Sequence, residues 1–286
     1  MLPVVSTGRQ RPTCAFCPFN GRLSKEHFWG DWLRPHLRAF VVGNPKTKHT
    51  VSLTAASGDR VFMHQRKRGS LELRDGDARD QTLRVVCETC NNNWMSQLQT
   101  RAKPTILALV RGEWPLIAAT ERRALAAWCT MFSMVIEFAD PPTRASTPAE
   151  RAYLKERLEP PPNWTVWIGR ALDGDVWRGA WNHFGMGAPA ARSAEGAITR
   201  TGECDTQSTA AVANCFYFQT HSTRSAEANV DAKEFAAQHG LRILWPTPAD
   251  DTPTPRPDAV LGALAADSAS RAFVPPGFPV RYAWEF

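Results

Sequence analysis

Cys14-Ala15-Phe16-Cys17, Ser24-Lys25-Glu26-His27 and Cys87-Glu88-Thr89-Cys90-Asn91 are the stretches that decide how the first third of this 286-residue chain folds. Two Cys-x-x-Cys pairs are what a tetrahedral zinc ion asks for, because each turn sets two thiolates about 2.3 Å from one ion and two turns close its shell. The pattern predicts one structural zinc on Cys14, Cys17, Cys87 and Cys90. The interval between the pairs is much longer than in a simple zinc ribbon, so the site must clamp a substantial loop at its base. The chain has 7 cysteines, an odd number, and Cys129, Cys204 and Cys215 stand outside the pairs. That is a poor disulfide framework; in a reducing compartment it reads as one metal site and three buried thiols.

Outward from these motifs, Thr13 to Cys17 and Leu83 to Cys87 read as short strands entering the two cysteine turns. The second turn runs into a helix-like stretch, Asn91 to Val110, with Trp94, Met95, Leu98, Ala102, Ile106, Leu107 and Val110 at near-helical spacing. Pro104 predicts a break or kink inside it. Between the pairs lies a polar insertion, roughly His36 to Gln81, rich in Gly and Lys/Arg. A clear helix follows over Thr120 to Phe138, capped around Thr120-Glu121 and stopped by Pro141-Pro142, then a short one over Thr147 to Leu158. From Trp164 the texture turns β-branched and aromatic, with runs at Trp164–Ile168, Val176–Phe184, Ala197–Thr201, Ala210–Thr220 and Arg242–Trp245 that predict an antiparallel sheet. Residues 246–257 read as a Pro/Thr/Asp linker, followed by a short helix from Asp258 and a Pro-rich tail. No internal repeat is visible.

With 43% hydrophobic residues the chain can bury a core without staples. It shows neither a signal-peptide succession nor a long uninterrupted apolar run, so a cytoplasmic protein with no membrane partner is expected. The net charge of +6 is uneven: residues 1–103 hold 17 Lys+Arg against 8 Asp+Glu, and the rest 17 against 20. A basic third beside a near-neutral remainder suggests a polyanion, because each phosphate neutralised releases counterions; a solvated basic surface accounts for it equally. Within the insertion, Arg66, Lys67 and Arg68, with Lys46 and Lys48, are candidate phosphate contacts, or simply a solvated loop. The 11 tryptophans could stack on unpaired bases, though core and sheet packing is the better reading. His183, His221 and His239 have no paired carboxylate or cysteine nearby in sequence. No Gly-rich phosphate loop and no Gly-x-Ser-x-Gly elbow occurs, which argues against an ATPase or a serine hydrolase.

Taken together, Cys14-Ala-Phe-Cys17, Glu26-His27 and Cys87-Glu-Thr-Cys90-Asn91 resemble the zinc-stabilised branch of the HNH endonucleases, which includes phage junction-resolving nucleases. The resemblance covers residues 13 to about 103. It implies a treble-clef ββα-metal fold in which His27 is the general base and Glu26 and Asn91 bind a catalytic Mg²⁺ or Mn²⁺. Asn91 has a second reading as the capping residue of a helix. Two positions depart from the family pattern: Glu26 stands where Asp or His is usual, and Thr82 where the family has an Asn that orients the His.

The expectation is an α+β protein with an N-terminal treble-clef ββα-metal (HNH) domain (1–112) carrying the basic insertion, a helical connector (113–160) and a C-terminal β-rich domain (161–286). Its expected activity is hydrolysis of phosphodiester bonds in nucleic acid, DNA foremost, with structural Zn and catalytic Mg or Mn as cofactors. A protein partner could bind the C-terminal domain. The alternative from another class is a non-catalytic zinc-stabilised module that kept the fold and binds nucleic acid or protein.

Overall fold

The computed structural model describes residues 12–37, 52–55, 61–64, 82–139, 141–172, 180–187, 189–192, 198–201, 203–247 and 252–273. The candidate phosphate contacts Lys46, Lys48, Arg66, Lys67 and Arg68 lie outside the described residues. The elements in chain order are β1 (Ser24–His27), β2 (Ser52–Ala55), β3 (Val61–His64), β4 (Thr82–Val86), α1 (Glu88–Cys90), a π-helical stretch Asn91–Met95, α2 (Ser96–Val110), α3 (Ala119–Ile136), α4 (Pro148–Arg157), β5 (Trp164–Ala171), β6 (Ala180–Gly187), β7 (Pro189–Arg192), β8 (Ile198–Thr201), β9 (Thr206–Ala213), β10 (Phe216–Thr223), α5 (Ala232–His239), β11 (Arg242–Trp245), β12 (Val260–Leu261) and α6 (Ala263–Arg271). The architecture is α+β with a four-cysteine cluster that could hold a metal ion at its N-terminal end.

β1 and β4 form a two-stranded antiparallel hairpin, and the helical run from Glu88 to Val110 leaves it directly. Thr13 to Cys17 is not a strand: it is a turn, held by a single bridge between Thr13 and Asn20. Nor does the helix break at Pro104; α2 continues through it to Val110. The irregularity comes more than two turns earlier than expected, in the π-helical residues Asn91–Met95, where an extra residue per turn re-aims the side chains that follow.

α3 begins where Glu121 accepts a hydrogen bond from the Ala118 amide at 2.9 Å. In α4 the capping box is complete: Thr147 Oγ1 accepts from the Glu150 amide and Glu150 accepts from the Thr147 amide. Leu158 ends it in the left-handed region at φ 53°.

The second half of the chain builds a sheet in the order β11-β5-β10-β9-β6-β3-β2, with β12 added parallel to β5. The run Ala210–Thr220 is two strands, because Asn214 takes φ 49° and turns the chain between β9 and β10. Asn tolerates the left-handed region better than most residues, which is why this turn needs no glycine. β5, β9 and β10 are buried along nearly their whole length because both faces are covered. Phe216 and Phe218 pack on the side of α3, while Tyr217 alternates to the side of Phe235 in α5 and Ala266 and Ala269 in α6. At Gly185 in β6 an added Cβ would sit 2.4 Å from the Thr143 carbonyl oxygen, so only glycine lets the 141–143 turn approach this strand.

One apolar cluster joins the metal element to the sheet. It runs from Cys14, Phe16 and Trp94 through Trp29 and Leu33 to Trp128, Phe132 and Phe218. Its centre is a set of aromatic contacts, with Trp29–Phe132 ring centroids at 4.8 Å and Phe132–Phe218 edge-to-face at 5.2 Å. The polar insertion also contributes: β3 pairs with β6, so the β2–β3 hairpin extends the sheet built by the second half.

Candidate functional site

The four cysteines meet. The sulfurs of Cys14, Cys17, Cys87 and Cys90 all lie within 4.8 Å of one another, and Cys17 Sγ is 3.6 Å from Cys87 Sγ. A tetrahedron with zinc–sulfur bonds of about 2.3 Å has edges of about 3.8 Å, so the cluster fits a zinc ion. Local hydrogen bonds pre-set the cage. The Cys14 amide donates to the Phe19 carbonyl at 2.8 Å, closing the first turn, and the Ala15 amide donates to Val85 at 2.8 Å, docking that turn on β4. The amides of Cys87 and Cys90 donate to the sulfurs of Cys14 (3.3 Å) and Cys87 (3.4 Å), as thiolates require.

The thiols respond to this cage unequally. Burial pushes Cys14 and Cys90 above the usual thiol range, whereas at Cys87 the opposing hydrogen bonds from the Cys90 amide and from Cys17 and Cys14 outweigh burial and lower it. A cation held at the centre would supply the charge that lets all four ionise together. Cys129, fully buried in α3, is held well above the thiol range by burial alone. It behaves as a core residue.

Glu26 and His27 sit on β1 beside this cage, and their side chains have different surroundings. Glu26 is buried at 6% exposure, and burial raises its carboxyl to about 7, opposed by a hydrogen bond that Gln99 Nε2 donates to Oε1 at 3.4 Å. Gln99 Oε1 in turn accepts from Trp32 Nε1 at 2.8 Å. An added Cβ at Gly30 would stand 2.5 Å from that indole nitrogen, so the bare backbone there is what admits the Trp32–Gln99–Glu26 chain. His27 Nδ1 is buried and finds no hydrogen-bond partner among the described residues. Glu26, His27 and Gln99 form the polar wall of a cavity of about 10 Å³ whose apolar wall is Trp128, Met131, Phe132 and Val135. That volume is the lower limit for a single water.

Asn91 stands elsewhere. Its Nδ2 donates to Ser24 Oγ at 3.5 Å, and Ser24 Oγ donates to the Val86 carbonyl at 2.9 Å. Eight residues separate Asn91 from Gln99, about 12 Å along a helix. The hairpin strand lies along the helix with Ser24 at the Asn91 end and Glu26 at the Gln99 end. The partner of Glu26 is therefore Gln99, which no motif in the sequence marks. Thr82 is the cross-strand partner of His27 in the β1–β4 register. Among the described residues the cysteine cluster is the one group of three or more His, Cys, Asp or Glu side chains placed to share an ion.

Several other buried polar groups have structural partners, although Thr130 Oγ1 and His221 Nδ1 find none among the described residues. Glu137, fully buried and raised to about 7 by burial, accepts from the amides of Ala145 and Ser146 and from the Ser146 hydroxyl, with Arg151 at 3.6 Å. Arg151 reaches back to the metal element, donating to the Ala15 carbonyl at 2.7 Å. His183 is within hydrogen-bond distance of Thr209 Oγ1 at 2.8 Å, and His221, lowered to about 4 by burial, of the Ala228 carbonyl at 3.1 Å. No helix among the described residues is long and apolar enough to cross a membrane. Comparison of the chain with protein-family models, with curated proteins and with solved structures gave no match.

Proposed function

We propose that this chain is a zinc-stabilised nucleic-acid-binding module built on the ββα layout of the HNH nucleases, in which the metal serves folding and binding rather than cleavage. The observation that carries this reading is the fate of Glu26. Its carboxyl is turned into an aromatic-lined pocket, where burial raises it to about 7 and it accepts a hydrogen bond from Gln99, in a cavity with room for about one water. The zinc cage, by contrast, is complete with four sulfurs and leaves no open coordination position, the mark of a structural site. The excess of Lys and Arg in residues 1–103 supports a polyanionic partner. The test is anisotropy titration of zinc-loaded protein with labelled DNA and RNA over a salt series, alongside a plasmid-nicking assay with Mg²⁺ or Mn²⁺. Salt-dependent binding without nicking is the expected result, and no binding at any salt refutes it.

A second reading, metal-dependent endonuclease, is favoured by one specific observation. Glu26 and His27 line the same cavity, and His27 Nδ1 has no hydrogen-bond partner among the described residues, as suits a base that takes a proton from water. In that reading His27 is the base, and Glu26 and Asn91 are the Mg²⁺ or Mn²⁺ ligands. Asn91 is hydrogen-bonded to Ser24 and Glu26 to Gln99, so these two do not fit a shared ion as they stand. Divalent-metal-dependent nicking that His27→Ala abolishes would establish this second reading over the first.

A further inference from the structure

β1 alternates: Glu26 points into the protein while Lys25 is exposed. The β1–β4 register carries a bulge between Ser24 and Glu26, which sets Lys25 opposite Arg84 and Val85 of β4. Arg84 is exposed, and its Nη1 donates to the Leu23 carbonyl at 3.1 Å, bringing the guanidinium against the Arg22–Lys25 segment. Arg22, Lys25 and Arg84 are thus all exposed along one short stretch of the β1–β4 pair. None of them forms an ion pair with a described carboxylate, and the hairpin's own acid, Glu26, faces the other way. Like charges on neighbouring strands are destabilising unless an anion bridges them.

The first cysteine turn borders this stretch, since the Ala15 amide bonds the carbonyl of Val85, next to Arg84. At its tip Phe19 is 46% exposed, unusual for a large aromatic ring. Its mount is rigid. The Phe19 carbonyl accepts from Cys14, the Thr13–Asn20 bridge closes the turn, and the ring lies over Gly21, where a Cβ would meet Cζ at 2.8 Å. A ring held this way costs little further entropy on stacking.

We propose that this exposed surface, formed by Arg22, Lys25, Arg84 and Phe19, holds single-stranded nucleic acid, with backbone phosphates on the three cations and an unpaired base on the Phe19 ring. The proposal rests on the nucleic-acid-binding reading above and names its surface, which is separate from the Glu26 cavity. Charge complementarity selects the polyanion, and the exposed aromatic beside the cations selects an unstacked strand over a duplex.

The test uses the full zinc-loaded chain, a fluorescein-labelled oligothymidylate and a duplex of the same length, each titrated over a salt series. The combined variant Arg22→Ala, Lys25→Ala, Arg84→Ala should reduce the slope of log affinity against log salt for the single strand by about two, at roughly 0.7 per phosphate contact. Lys25→Ala alone, at an exposed bulge, should reduce it by about 0.7 and guards against misfolding of the triple variant. Phe19→Ala should weaken single-strand binding on the order of tenfold and leave the slope unchanged. Zinc content and far-ultraviolet dichroism confirm that each variant is folded. Wild-type binding with slopes unchanged in both cation variants overturns this surface while leaving the broader reading intact. Tighter binding to the duplex, with Phe19→Ala neutral, overturns the single-strand assignment. Absence of wild-type binding to either probe overturns both readings.

Discussion

Replacing Glu26 by Gln should make the protein more stable, and by an amount that depends on pH. The carboxyl is raised from an ordinary 4.5 to about 7 because burial penalises its charged form more than the Gln99 hydrogen bond repays. For an acid whose folded pKa is raised, the folded state binds the proton more tightly than the unfolded state. Its relative stability is therefore fully present below about pH 4.5 and is lost as pH climbs through 7. The shift corresponds to about 3 kcal/mol of charged-state penalty at alkaline pH, at 1.36 kcal/mol per unit. Glutamine keeps the shape and the capacity to bond Gln99 but never ionises. Urea denaturation of zinc-saturated wild type and Glu26→Gln at about pH 8.5 should show most of that difference, and at about pH 5.5 less than half of it. Glu137, raised to a similar value, titrates in both proteins and cancels from the comparison. A Glu26→Gln variant equally or less stable than wild type at both pH values would refute the argument, and would mean that the carboxylate is charged and paired, as a metal ligand must be.

Three further outcomes follow from the structure. Elemental analysis should find one zinc per chain, and Cys87→Ser or prolonged chelation should unfold the N-terminal element, since structural zinc contributes on the order of 10 kcal/mol; near-ultraviolet dichroism of the apo protein reports it. Phe218→Ala should cost about 3–5 kcal/mol in chemical denaturation, because its ring is fully buried against Trp29, Trp128 and Phe132 from other elements. Thr147→Ala should cost about 1 kcal/mol by opening the α4 capping box, measurable as a lowered Tm.

The amino-acid sequence by itself determined what is local or stoichiometric. Two Cys-x-x-Cys pairs announce a tetrahedral site wherever they fall, because the chemistry lies in residue type and two-residue spacing; the cage is present as read. The amphipathic run of α3 and the Thr-Pro-Ala-Glu start of α4 were equally legible, since helix period and caps are written within a few residues of each other. What needed tertiary structure was everything set by a partner distant in sequence. The Ala210–Thr220 run looks like one strand until both its faces are covered and Asn214 turns it into two. The insertion looks like a polar loop until β3 meets β6, more than a hundred residues later. In the site, Glu26 beside His27 reads from sequence as a metal ligand. Whether its carboxyl is a charged ligand or a buried acid depends on Gln99, Trp128 and Phe132, which only the packing of β1 against α2 and α3 brings to it. The same packing leaves Arg22, Lys25 and Arg84 exposed. Alternation along a strand sends neighbours to opposite faces, but only the tertiary fold decides which face meets the core and which meets water.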